Sequence, residues 1–248
     1  MWTNFHCLKT LIILGHQVKP QRKVTLLVSS SSLMTSLELG GLIHFWGPAG
    51  CGKTLLAVAL ASDVSRYARV EWINTDRKKS FVSYLKNNIA ASGGSPQNVS
   101  ITMIDSQTEL LELIRKLPES DLPSLLVIDP ITRALDLGRE NPTLWGRELV
   151  EDVLPTLAGL TTTNDLAVII TSESRMLDDS NNHAVYHSTI AKWIDHDLCL
   201  NRELSGSRTH IVRKIEDSEQ ETAQLRVDHL GILEIIPRIY RTQVSEEV

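Results

Sequence analysis

Gly47-Pro48-Ala49-Gly50-Cys51-Gly52-Lys53-Thr54 matches the pattern GxxxxGK[ST] at every fixed position. Each part has a physical task. Glycines let a short loop curl until several backbone N–H groups converge on phosphate oxygens. A helix starting near Lys53 aims the positive end of its dipole at the same anion. The Lys53 ammonium reaches the terminal phosphates, and the Thr54 hydroxyl serves Mg²⁺. The flanks agree with the motif. Leu42–Trp46 is an apolar run before the loop, and Leu56, Ala59, Leu60 and Val64 share one helical face after it. Pro48 and Ala49 are loop members, and Cys51 reads as a small filler rather than a nucleophile. The competing reading is a glycine-rich turn without a ligand.

Outward from the loop, apolar strands alternate with amphipathic helices. Strands are expected at Val70–Ile73, Ile101–Ile104, Leu125–Ile128 and Leu166–Ile170. Helices are expected at Lys53–Tyr67, Ser80–Ala91 (stopped by Gly93-Gly94), Gln107–Leu117 and Thr143–Leu160. Pro155 should kink the last of these at a cost of about 3 kcal/mol unless packing compensates. After Asp197 the pattern changes to short strands at Leu198–Leu200, His210–Ile215 and Gln224–Val227, with a turn at Ser205-Gly206-Ser207. The order predicts an α/β fold: a mostly parallel sheet, helices on both faces and a C-terminal antiparallel extension. Leu125-Leu126-Val127-Ile128-Asp129 is an apolar strand ending in a carboxylate, 76 residues after Lys53. In that position Asp129 is expected to hold Mg²⁺ through its water shell; a helix-capping Asp is the alternative.

Composition narrows the function. Lys and Arg number 25 and Asp and Glu 30, a net charge of −5. The whole surface is therefore not a basic nucleic-acid field. Cys7, Cys51 and Cys199 form no metal-ligand cluster, so a reducing cytoplasm is expected. Leu11–Leu14 is too short for a membrane span, and no membrane role is expected. Residues 1–35 read as an extension or linker with a basic cluster, a possible edge strand at Val24–Val28 and the Ser29–Ser32 run. Met34 is an alternative start of translation. Residues 36–240 read as the ATPase domain and 241–248 as a tail.

The stretches LELGGLIHFWGPAGCGKT, WINTD, LLVIDPITRAL and AVIITSES resemble the RecA/RadA recombinase ATPase core, and within it the archaeal RadB-like paralogues. The resemblance runs from about Leu37 to Ile236. It implies a RecA-type P-loop NTPase with ATP and Mg²⁺ as ligands. It places a water-activating carboxylate at Asp76, where the family has Glu followed by Gly and this chain has Asp76-Arg77. Asp is one methylene shorter, and general-base geometry is sensitive at that scale. A turn or capping role is the alternative for Asp76. The γ-phosphate sensor, Gln in the family, falls on Glu173. A carboxylate there repels phosphate unless Mg²⁺ or Arg175 intervenes. Both departures imply slow hydrolysis. Lys214-Ile215-Glu216-Asp217-Ser218 resembles the segment that caps a neighbouring subunit's nucleotide, which implicates Lys214 and Asp217; a charged hairpin surface is the alternative.

The family binds single-stranded DNA through two loops. Here they fall near Thr132–Gly146, with Arg133 and Arg139 and with Arg147 just beyond, and at Ser174–Thr189, with Arg175, His183 and His187. The second also carries Asp178 and Asp179, and phosphate binding wants several cations, so a solvated flexible loop is the stronger reading. No FxxA polymerisation motif is present. A monomer, dimer or complex with a recombinase or other repair protein is expected, rather than a long self-filament. The leading expectation is an ATP-binding recombinase paralogue with weak, DNA-dependent ATPase activity in recombination and repair. The alternative is a KaiC-like or recombinase-adaptor module that binds ATP and acts through a protein partner. A small-molecule kinase, an ABC ATPase and a GTPase are disfavoured: no Arg-rich lid, LSGGQ or NKxD is found.

Overall fold

Leu125, Leu126, Val127 and Ile128 show how the layers form. Successive side chains of a strand point to opposite faces. Leu125 and Val127 join one apolar cluster, while Leu126 and Ile128 join the other, on the far side of the same sheet. A strand that is apolar at every position is thus buried on both faces, as a parallel sheet with helices above and below requires.

The computed structural model describes residues 32–238, apart from 77, 105, 133–146, 179–180, 185, 204–207 and 216–217. The elements run α1 (Leu33–Ser36), β1 (Leu42–Gly47), α2 (Lys53–Val64), β2 (Val70–Asn74), α3 (Ser80–Ser92), β3 (Val99–Met103), α4 (Gln107–Lys116), β4 (Leu125–Asp129), α5 (Leu154–Thr163), β5 (Ala167–Asp178), β6 (Asn181–Ala184), α6 (His187–Ile190), β7 (His196–Arg202), β8 (Arg208–Ile215), β9 (Ser218–Val227) and β10 (Leu233–Pro237). The strand order is β10-β9-β8-β7-β1-β5-β4-β2-β3, with β6 paired to β5. Strands β3, β2, β4, β5, β1 and β7 run parallel, and β7 through β10 are antiparallel neighbours. This is the expected fold. One face buries residues of α1, α2 and α3, and the other those of α4 and α5. Strand β5 lies between β1 and β4, so the glycine loop after β1 and Asp129 at the end of β4 flank the same crevice.

Several boundaries differ from expectation. Residues before 36 pack on the domain: Met34 is buried, and the N–H of Leu33 donates to Asp63 Oδ2 at 2.7 Å. Pro155 does not break a long α-helix. The backbone stays helical from Glu148 through Leu154, and a π-helical turn at Leu149–Val153 leads straight into α5, with Pro155 in its first turn. Much of the expected loop 174–189 is a β-ribbon, with Ser174 opposite Ala184. Strand β10 was not expected at all. Val24–Val28 and the tail 241–248 lie outside the described residues. Among the described residues, no helix is long and apolar enough to cross a membrane.

Candidate functional site

The glycine loop is shaped by what stands behind it. Gly47 has φ +148°, and a Cβ there would lie 2.4 Å from the carbonyl oxygen of Leu200 and 2.9 Å from Cys51 Sγ. Only glycine permits that approach. Gly52 opens α2 at φ +106°, and its missing Cβ would meet Thr209 Oγ1 at 3.2 Å. Strands β7 and β8 also grip the loop by hydrogen bonds. Thr209 Oγ1 donates to the carbonyl of Cys51 at 2.8 Å, and Arg202 donates to that of Gly50 at 3.3 Å. Arg202 and Thr209 were not singled out from sequence; contacts spanning more than 150 residues leave no local pattern. Inside the loop, Lys53 Nζ donates to the carbonyls of Gly47 and Pro48 at 2.8 and 2.9 Å. Burial pushes the Cys51 thiol up, against the opposing effect of Lys53, which suits a filler and not a nucleophile.

Asp129 is 5 % exposed. Thr54 Oγ1 donates to its Oδ2 at 2.8 Å, and Thr171 Oγ1 from β5 donates to its Oδ1 at 2.5 Å. Burial pushes the carboxyl above its ordinary value; the Thr171 and Thr54 hydroxyls oppose this, and the charge of Asp76 adds to it. Next to this pair lies a cleft of about 170 Å³ lined by Thr54, Asn74, Asp76, Lys78, Phe81 and Asp129 among others. The structure thus brings together the loop, Thr54, Asp129 and Asp76. Asp76 is bound into its own turn: Oδ1 accepts from the Lys78 N–H at 2.9 Å, and Oδ2 pairs with Lys78 Nζ at 3.1 Å. Glu173 stands opposite Gly47 in the β1–β5 register and does not line the cleft.

The outer candidates are less gathered. Lys214 forms an ion pair with Glu219 and places its Nζ 5.6 Å from the Trp46 ring centroid. Arg147 pairs with Glu151 at 2.9 Å, one helical turn on. Arg133, Arg139 and Asp217 lie outside the described residues, as does the side chain of Arg175.

A second polar cluster, unforeseen from sequence, sits beneath β1, β5 and β7. His44 Nδ1 donates to Asp197 Oδ1 at 3.0 Å, and its Nε2 meets Ser172 Oγ at 2.7 Å. His187 Nε2 bonds Asp197 Oδ2 at 2.7 Å. Burial pushes His44 down despite the hydrogen bond and charge of Asp197. A neutral ring then donates from Nδ1 and accepts the Ser172 hydroxyl proton at Nε2. Ser172 and His44 are both 0 % exposed, so this arrangement faces no substrate.

Comparisons with known proteins bear on the crevice and on the fold around it. The model of the ATPase family associated with various cellular activities (AAA) matches residues 43–187, which is 145 of 248 residues. The crystal structure of the RadB recombinase is similar with a TM-score of 0.63 and 19 % identity, over 84 % of this chain and 97 % of that one. That coverage exceeds the span of the family match and so takes in residues beyond it. No curated protein matches in sequence.

Proposed function

Because the chain belongs to the ATPase family associated with various cellular activities, we propose that it is an ATP-binding, RecA/RadB-like recombinase paralogue with weak Mg²⁺-dependent hydrolysis, assisting DNA recombination and repair. The observation that carries the reading is the Thr54–Asp129 hydrogen bond, 2.8 Å long, beside a loop that only glycine can form. A hydroxyl and a carboxylate held together at a helix N-terminus are the donor set that a triphosphate-bound Mg²⁺ uses. Bound Mg²⁺ supplies charge neutralisation between the terminal phosphates. The residues do the rest. Backbone N–H groups of residues 47–54, Pro48 excepted, cradle the phosphates. Lys53 exchanges the carbonyls of Gly47 and Pro48 for phosphate oxygens. Thr54 and Asp129 would hold the metal, Asp129 through the metal's water shell. Asp76 is the candidate base, Glu173 the candidate sensor, and Lys214 and Asp217 candidate contacts to a neighbouring subunit's nucleotide. Single-stranded DNA is the proposed polymer ligand, with Arg133, Arg139, Arg147 and Arg175 as candidate contacts, and a recombinase or other repair protein the proposed partner.

The KaiC-like or adaptor reading has a specific support: Asp76 is engaged by Lys78 and so is poorly placed for catalysis. ATP hydrolysis measured with and without single-stranded DNA separates the two. A rate that rises with DNA supports the recombinase paralogue; binding without turnover supports the adaptor. Binding itself is checked by melting. At a concentration of 100 times Kd, Mg-ATP should stabilise the fold by about 2.7 kcal/mol, roughly 5–10 °C for a chain of this size. Lys53→Ala should remove that shift. An unaltered protein whose melting ignores millimolar Mg-ATP sinks the proposal.

A further inference from the structure

The Asp76 carboxylate is enclosed by donors from its own turn. Oδ1 accepts the Lys78 N–H at 2.9 Å and Asn74 Nδ2 at 3.3 Å, and Oδ2 faces Lys78 Nζ at 3.1 Å. Its side chain is 12 % exposed, whereas that of Lys78 is 60 % exposed. The turn is also tied from the other side, because Asn74 Nδ2 donates to the carbonyl of Lys78 at 3.3 Å. Both partners of that amide nitrogen are acceptors, which fixes which end of the Asn74 amide is which. Among the described residues, Asn74 Oδ1 is then left buried and without a partner, on a residue that lines the same cleft as Thr54 and Asp129.

A carboxylate that activates water needs a free lone pair within hydrogen-bond reach of the reacting atom. Asp76 accepts from three donors, one of them cationic, and its short side chain has little freedom to turn away from them. The unpartnered Asn74 oxygen is an amide. It can orient a water but cannot accept its proton at neutral pH. We propose that Lys78 is a positioning residue that restrains Asp76 in this closed turn and thereby holds ATP hydrolysis slow, turnover requiring the Lys78–Asp76 pair to open. The inference rests on the reading that the cleft receives the terminal phosphate. It accounts for a site that is complete for binding and restrained for chemistry.

The test uses the full chain with saturating Mg-ATP. Lys78→Met removes the cation from a largely exposed position, so the fold should tolerate it. Its kcat should rise about five-fold, the size expected for one partly exposed ion pair, while KM and the Kd of a fluorescent ATP analogue stay unchanged. Lys78→Arg keeps a cation in place and should restore most of the restraint. In Lys78→Met/Asp76→Asn the gain should vanish, because the group being released is no longer a base. A merely structural role for Lys78 would instead move melting temperature and Kd together. Analogue binding by the unaltered protein combined with an unchanged or lower kcat in Lys78→Met overturns the restraint alone. Absence of analogue binding by the unaltered protein overturns the parent reading as well.

Discussion

Asp129 is a buried and Asp197 a part-buried carboxylate of one sheet, and their acidities move in opposite directions. Around Asp129 the partners are two neutral hydroxyls, from Thr171 and Thr54; burial prevails and the carboxyl is pushed up. For Asp197 burial acts the same way. Hydrogen bonds from His187 and His44, with their charge, outweigh it and hold the carboxyl down at about 2. The difference separates a cleft residue from an internally paired one. Asp197 has its compensation built in. Asp129 has two hydroxyls and the weaker effect of the Lys53 charge, and it lines the cleft beside Thr54.

Removing Asp197 should break the comparison most forcefully. Asp197→Ala strands two imidazoles, one of them fully buried, and should cost about 3 kcal/mol, lowering the melting temperature by roughly 6–12 °C. A shift below about 2 °C would show that the cluster is not a framework.

Next in size is the response to pH. His44 is held below its ordinary value of 6.5 in the folded state. Below pH 6.5 the unfolded chain takes up a proton that the folded chain refuses, so stability should decline with acidification, by at most about 1.4 kcal/mol per pH unit. Asp197 adds a separate loss only as pH falls from 3.8 to about 2. His210 is raised by its hydrogen bonds to Glu221 and Glu203 and works the other way, but its surface position screens it. Thermal melts between pH 7.5 and 5 should show the decline, and His44→Gln should flatten it.

The smallest effect on stability should come from Asp129. Asp129→Asn keeps the shape and removes a buried charge, so the nucleotide-free protein should gain about 0–1 kcal/mol. The same variant should lose the additional stabilisation that Mg²⁺ gives to bound ATP. If Asp129→Asn melted many degrees lower, Asp129 would belong with Asp197 as framework.

What was legible in sequence follows from the reach of each signal. The loop, Thr54 and Asp129 are written in short runs whose chemistry and period are local, and the layered fold follows from the strand–helix alternation around them. Pro155 marks where the helix is irregular, but the form of the irregularity, a π-helical turn at Leu149–Val153, leaves no mark in the apolar spacing. Strand β10 carries Pro237 at its end and lies on the sheet edge, where its pattern is weak. Asp76 was found by resemblance, but its capture by Lys78 depends on how a turn closes. The His44–Asp197 pair joins residues 153 apart, held side by side by the parallel register of β1 and β7. Pairing of that kind is created by topology, not by neighbours in the chain.

The hydrogen bond from Thr209 to the carbonyl of Cys51 has a consequence for biosynthesis. Its partners are 158 residues apart. At about 5–20 residues per second, a ribosome finishes one roughly 8–30 s after the other. During that interval the nascent glycine turn has no rear support, and a nucleotide meeting the growing polypeptide would find it without its finished shape. Full affinity for ATP should therefore arrive only after β8 has left the exit tunnel.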